Sequence, residues 1–419
     1  MSLSRRQFLH TAAVSAGSST YFLPQWASAA ADPPASDKLR IGCIGVGRQG
    51  NSNLGVLLKN VVAVCDVDSN HLAAAKARVE KANGKCAAYG DYRKLLESKD
   101  IDAVVVTTPD HWHALITVDA CQAGKDVYCE KPLTLTVAEG RSIVNAARKY
   151  KRIVQTGSQQ RSAENFRRGC ELVRSGYLGK LKEVKVGIPG PNFSGPPVPD
   201  SDPPKELNYE FWLGPAPLRP YNEKHVHYLF RFFWDYSGGQ MTNFGAHHLD
   251  IAQWGLGMDE SGPVGIEGKA TFHKDKWYET PEKQVITYTY ASGVVMTCSM
   301  TEKQGTTFIG EKGFIHVNRG KFETDLPGIS AKTMLKEGDV HLYASGNHHK
   351  NWLDCIASRK LPICDAEIGH RSATVCHLGN IACRLGRKIA FDPAKETCPD
   401  DKEAAAMLSK AYRGPWKLA

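Results

Sequence analysis

Short, uniformly apolar runs alternate with amphipathic stretches through the first third of the chain. Residues 39–44 (L-R-I-G-C-I), 61–65, 103–107, 126–129 and 152–156 are rich in Val, Ile and Cys, the pattern of strands buried on both faces. Between them, residues 72–81, 115–123 and 138–150 show helical spacing. Such alternation predicts a parallel, doubly wound sheet. Later the period changes. Residues 285–290, 294–300 and 314–317 have strand composition, with Ala291-Ser292-Gly293 as a hairpin turn between the first two. Helices are expected at 351–357 and 373–385, and the proline-rich stretch 189–204 reads as a long loop crossing the site.

The N-terminus follows neither pattern. In S-R-R-Q-F-L-H (residues 4–10), Arg5 and Arg6 precede a mild, small-residue stretch with no acidic residue up to Ala29, and Ala27-Ser28-Ala29 has the form of a cleavage site. Residues 1–29 are therefore expected to be a twin-arginine signal peptide, and 30–37 a linker. A dinucleotide-binding domain over 38–158 and a second domain over 159–419 complete the organisation. This places the mature protein in the periplasm or otherwise outside the cytoplasm, with the twin-arginine export machinery as a partner. No other stretch approaches 18 consecutive apolar residues, so no membrane association is expected of the mature form.

Composition narrows the classes further. The 419 residues carry a formal charge of +9 without a lysine or arginine run, which gives no reason to expect nucleic-acid binding. Twelve cysteines in an exported chain raise the question of disulfides. Cys43, Cys65 and Cys129 sit inside apolar runs, where cysteine acts as a small apolar side chain. Cys355, Cys364, Cys376 and Cys383 are close enough in sequence for one bridge. No C-x-x-C occurs, so no cysteine zinc site is expected.

The first strand runs into G-V-G-R-Q-G, with Gly45, Gly47 and Gly50 at the spacing of a dinucleotide turn and Arg48 and Gln49 inside it. Gly45 permits the tight turn, Gly47 lets a pyrophosphate approach the backbone, and Gly50 allows close helix–strand packing. Asp66 ends the second strand about 20 residues on, where a carboxylate holds adenosine ribose hydroxyls and repels a 2′-phosphate. NAD is thus expected over NADP. Thr108, Pro109 and His113, in T-T-P-D-H-W-H-A, and Glu130 and Lys131, in E-K-P, follow strand ends, where open α/β sheets bind ligands.

These motifs, with C-D-V-D, A-G-K-D-V-Y-C-E-K-P and G-G-Q-M-T-N-F-G-A-H-H-L-D, resemble the glucose-fructose oxidoreductase / inositol dehydrogenase / rhizopine-catabolism (Gfo/Idh/MocA) family. The resemblance implies a Rossmann domain joined to an α/β domain with a mostly antiparallel open sheet, often the surface of a homo-oligomer. It implies an NAD(P)-dependent enzyme acting on sugars, glycosides or cyclitols. It also implies that Lys131 and His247 work on the substrate hydroxyl. The family commonly has an aspartate four residues before that histidine; this chain has Asn243, which can orient by hydrogen bonds but cannot carry a proton away.

Residues 221–239 are rich in aromatics and histidines, a composition suited to a sugar ring. His225, His227, Arg231, Trp234 and Asp235 are the substrate candidates there, with Gln160 and Arg161 beyond the last strand of the first domain. His225 and His227 are expected to share one face of a strand. No carboxylate or cysteine has a matching spacing, so no metal is expected. Three functions remain open: a dehydrogenase or reductase, a redox-neutral glycosidase or lyase that keeps its NAD, and a non-catalytic sugar-binding relative. Export in the folded state favours tightly bound cofactor.

Overall fold

The computed structural model describes residues 39–193 and 195–418; the expected signal peptide and linker lie outside the described residues. Six parallel strands form the first sheet: β1 (Ile41–Ile44), β2 (Val61–Cys65), β3 (Ala87–Tyr89), β4 (Ala103–Val106), β5 (Asp126–Cys129) and β6 (Val154–Thr156). Their order is β3-β2-β1-β4-β5-β6, so the chain reverses direction across the sheet between β1 and β4. Strands β1, β4 and β5 are buried along their whole length, as their unbroken apolar runs require. The edge strand β3 is only three residues, mostly exposed, and carries no apolar signal in A-A-Y. Helices Asp110–Gln122 and Val137–Lys149 lie between the later strands; the second begins with a capping box of Thr136 and Glu139.

The second sheet has eight strands: β7 (Leu181–Gly187), β8 (Gly265–Thr271), β9 (Lys283–Thr289), β10 (Val295–Ser299), β11 (Gly305–Gly310), β12 (Phe314–Asn318), β13 (Lys321–Thr324) and β14 (Ile389–Ala390). They are ordered β13-β12-β11-β7-β10-β9-β8-β14. Every pairing is antiparallel except β7 with β10. Alternation is clean on β9, where Gln284, Ile286 and Tyr288 are buried while Lys283 and Val285 face out. Helix Ala366–Leu385 covers the inner face, with the Tyr288 hydroxyl donating to the Val375 carbonyl at 3.1 Å. A Cβ at Gly379 would stand 2.2 Å from that hydroxyl, so only glycine permits this approach.

The start of this helix and the segments that flank it tie the second domain back to the first. Thr156 N–H donates to the Cys364 carbonyl at 2.9 Å, and Arg148 pairs with Asp365. Arg141 bridges Glu367 and Glu396 at 2.7 and 2.6 Å. All twelve cysteines are buried free thiols, so the bridge considered for the C-terminal four is not formed. Among the described residues no helix is long and apolar enough to cross a membrane.

Candidate active site

A cavity of about 600 Å³ opens at the C-terminal ends of β1, β4 and β5 and is closed over by the second domain. Gly45 turns β1 into helix Arg48–Val56 with φ +78°, a left-handed value that glycine adopts without strain. A Cβ on Gly50 would lie 1.9 Å from the Gly45 carbonyl, so the turn and the helix meet only because both positions are glycine. The helix N-terminus has no side-chain cap, which leaves its first N–H groups available to an anion. The Asp66 carboxylate accepts from Val46 N–H at 2.8 Å and Asp68 N–H at 2.9 Å. Those bonds hold it while burial pushes its pKa up. Thr108 Oγ1 is buried on the cavity wall with no partner among the described residues. A glycine cradle, an uncapped helix, a fixed carboxylate and an orphaned hydroxyl fit a dinucleotide.

Glu130 is fixed on the cavity wall. Its carboxylate accepts from Asn53 at 3.0 Å and Gln49 at 3.4 Å. Beside it, Lys131 Nζ donates to Asn243 Oδ1 at 2.9 Å and to the Asn243 carbonyl at 3.2 Å. Asn243 lies in a π-helical turn, Met241–Gly245, that precedes helix Ala246–Leu256. Burial lowers the Lys131 pKa; Arg231 and Arg319 lower it further, while Glu130 and Asp110 oppose them. His247 enters the same cavity one residue into the helix, and its Nδ1 is buried without a partner among the described residues. Burial, then Lys131 and Arg319, hold its pKa well below the ordinary histidine range, so the ring is neutral.

His113 is a wall rather than a ligand. Its Nδ1 is 2.7 Å from the Pro132 carbonyl and its Nε2 2.8 Å from the Thr108 carbonyl. Two carbonyl acceptors require two N–H donors, the imidazolium form. Burial alone would push the pKa down. Cys129, Asp110 and the Pro132 carbonyl outweigh it and raise the value to about 10.

Several sequence expectations need correction. His225 and His227 occupy a loop, not a strand: His227 has φ +52°, and His225 packs on Phe233 at 4.2 Å between ring centroids, outside the cavity. Trp234 lies under Arg384, and Asp235 pairs with Arg219 and Lys410, both away from the cavity wall. Arg161 is 1% exposed, held by Asp250 and Asp259 at 2.8 and 2.7 Å; it joins elements rather than meeting a ligand. Gln160 is likewise behind the wall, accepting from Arg319 Nε at 3.2 Å.

Wall residues that sequence reasoning missed include Asp110, Tyr228, Phe244 and Arg319. Asp110 stands inside the T-T-P-D-H-W-H-A motif, but Arg319 sits in a hairpin turn with no chemical pattern around it. His227, itself on the cavity wall, approaches Asp68 at 3.5 Å and His71 at 5.1 Å between rings. Ligand atoms of these three residues lie within 4.8 Å of one another.

Comparison with known proteins agrees with this geometry. Residues 39–158 match the NAD-binding Rossmann fold of the Gfo/Idh/MocA oxidoreductase family, and residues 194–418 match its C-terminal alpha/beta domain. An inositol 2-dehydrogenase from Salmonella typhimurium is 30% identical over 175 residues, covering 40% of this chain and 50% of that protein. A glycosyl hydrolase family 109 protein from Shewanella putrefaciens is 36% identical over 166 residues, 35% of this chain and 34% of its own length. The chain thus spans half or less of the length of these curated relatives. The WlbA dehydrogenase from Bordetella pertussis, solved with NADH and UDP-GlcNAcA, shares the fold at 19% identity with a TM-score of 0.64, covering 85% of this chain and 99% of that one. Matched across both domains, the chain belongs to the Gfo/Idh/MocA oxidoreductase family.

Proposed function

We propose that the protein is an exported oxidoreductase that moves a hydride to or from a hydroxyl-bearing carbon of a sugar, glycoside or cyclitol. The observation that carries this reading is a buried lysine, held by a neutral amide, in the same cavity as the dinucleotide cradle. NAD bound in the cradle supplies a hydride acceptor or donor at its nicotinamide C4. In the oxidising direction, neutral Lys131 Nζ takes the hydroxyl proton as the C–H electron pair leaves with the hydride. His247, its pKa held low first by burial and then by Lys131, stays neutral and donates to or accepts from the same oxygen. Asn243 keeps Nζ aimed. Its own Nδ2 donates to Gln240 at 3.0 Å, and Gln240 donates to the Gly190 carbonyl at 2.8 Å, so the amide oxygen is the face turned to Lys131.

A retained cofactor is the second part of the proposal. The second domain reaches across the adenosine end: Ser69 N–H donates to the Glu206 carbonyl and Asn208 N–H to the Val67 carbonyl, both at 2.9 Å. Tyr228 lies against Arg48 of the glycine turn at 4.5 Å. A twin-arginine signal would carry the folded, loaded protein out of the cytoplasm into a compartment where free NAD is scarce. Retention favours a cycle that returns the cofactor to its starting state, including redox-neutral glycoside cleavage. The outward row of β9, with Lys283 and Val285 exposed, is the surface proposed for a homo-oligomer.

The test is turnover of the mature protein on a sugar and glycoside panel, following NADH absorbance and released sugar together. Lys131→Met should lower turnover by about 10² or more with little change in cofactor affinity. Near-normal turnover in that variant would remove Lys131 from the chemistry. Nicotinamide assayed after denaturing protein from the exported fraction should be near-stoichiometric. Empty protein that needs added NAD would leave an ordinary dehydrogenase.

A further inference from the structure

Beyond Asp66 the cavity turns apolar. The first domain supplies Val67, Tyr92, Trp112 and Ile116 there, and the second supplies Leu207, Phe211 and Trp212. With the glycine turn taking the pyrophosphate and Asp66 the ribose, this end takes the adenine. Its roof is a strap of the second domain, residues 206–216, which pairs with the turn after β2 through Ser69–Glu206 and Asn208–Val67. The strap then lies on Trp112. The indole Nε1 donates to the Trp212 carbonyl at 2.9 Å, and the Phe211 ring stacks on the indole at 5.5 Å between centroids. A Cβ at Gly214 would stand 2.0 Å from that indole, so the backbone itself rests on the ring.

Residues 408–416 hold the strap from outside. Arg413 N–H donates to the Pro215 carbonyl at 3.0 Å, its Nε donates to the Gly214 and Ala216 carbonyls, both at 3.1 Å, and its guanidinium pairs with Glu210. Trp416 stands edge-on to Trp112 and Phe211, at 4.9 and 5.4 Å between centroids, one layer behind the cavity wall. Arg93 lies over the Trp416 and Phe211 rings at 5.0 and 5.3 Å. The other anchor is on the first domain: Ala138 N–H donates to the Leu408 carbonyl at 3.0 Å, and the Tyr412 hydroxyl to Glu139 at 2.7 Å. The segment thus runs from helix Val137–Lys149 to the strap and joins the two. It is not close-packed on that helix. A cleft of about 310 Å³, lined by Thr136, Ser142, Tyr412 and Trp416, lies beneath it. A loosely packed, half-exposed segment opens at lower cost than the core.

We infer that residues 408–416 are a latch on the strap and set the rate at which NAD(H) leaves the cavity. This rests on the retained-cofactor reading and names the device that retains it. The strap cannot lift from the adenine end while Arg413 and Trp416 hold it, so release waits for the segment to undock. By linkage, a cofactor that holds the strap down also holds the segment down. Arg413 and Trp416 act as positioning residues: neither lines the cavity.

The experiment follows NADH release from the loaded protein by its fluorescence after mixing with excess NAD. Arg413→Ala and Trp416→Ala should each speed release by about tenfold or more, the first by losing its carbonyl bonds and the second its ring contacts. A second measurement needs no variant. Trypsin should cut after Lys410 or Arg413 at least about tenfold more slowly in NADH-loaded than in cofactor-stripped protein. Cleavage after Lys332, in an exposed loop away from the cavity, should proceed at one rate in both. Slow release that is unchanged in both variants overturns the latch and leaves cofactor retention standing. Cleavage after Lys410 and Arg413 that ignores NADH does the same, as does an equal slowing at Lys332, which would mark general stabilisation by the ligand. Release from the unaltered protein that is complete on mixing overturns retention itself.

Discussion

Lys131 Nζ donates to Asn243 Oδ1 at 2.9 Å, a lysine and an amide brought together from a strand end and a π-helical turn 112 residues apart. A carboxylate at that distance would hold the ammonium in its charged form; the amide accepts the bond without adding charge. Buried beside a neutral partner, Lys131 titrates below the ordinary lysine range. In sugar oxidation the neutral amine is the base, so kcat/KM should rise as pH rises through this lowered value. Asn243→Asp should move the midpoint upward by about one unit or more. A pH–rate profile that is superimposable for the two proteins would show that this contact does not set the lysine's protonation.

Asp66 governs cofactor choice. Its carboxylate is fixed by the N–H groups of Val46 and Asp68, so it cannot swing aside for a 2′-phosphate. Titration of cofactor-stripped protein should give tighter binding of NAD than NADP, and Asp66→Ala should weaken NAD and narrow the gap. NADP binding as tightly as NAD to the unaltered protein contradicts the assignment.

His113 should remain an imidazolium through neutral pH, because both ring nitrogens face carbonyls. With a folded pKa raised to about 10, its contribution to stability is complete below its unfolded pKa of about 6.5 and is lost as pH rises toward 10. Nitrogen-15 shifts of labelled histidine should report two protonated ring nitrogens at pH 8. A neutral-tautomer pattern at that pH refutes the charge state.

Arg161 and Asp250 are 1% and 0% exposed, and Ser372 adds a bond to Asp250 at 2.6 Å. Removing one member of a buried pair strands the other charge. Asp250→Asn should therefore lower unfolding free energy by about 3–5 kcal/mol in denaturant titrations. A loss under about 1 kcal/mol would mean that water or Asp259 takes over the guanidinium.

The parallel sheet and its dinucleotide cradle were legible from order and spacing alone. Their signals are local: an apolar run reads as a buried strand wherever it lies, and Gly45, Gly50 and Asp66 act through backbone geometry within a single β-turn-helix-β unit. Only the edge strand Ala87–Tyr89, short and exposed, left no mark in the pattern. Residues 221–239 are different. They have no period, so composition could say that histidines and aromatics were present but not which way each faced. Tertiary contacts turned His225 onto Phe233, Asp235 onto Arg219 and Lys410, and Tyr228 and Arg231 into the cavity. Arg161 looked like a ligand because it follows a strand end, yet Asp250, remote in sequence, neutralises it inside the core. Arg319 had no local signal at all; a hairpin of the second sheet carries it to the cavity mouth. Local periodicity determines which elements form, whereas the facing of an irregular loop and the pairing of a distant charge are decided by packing between elements.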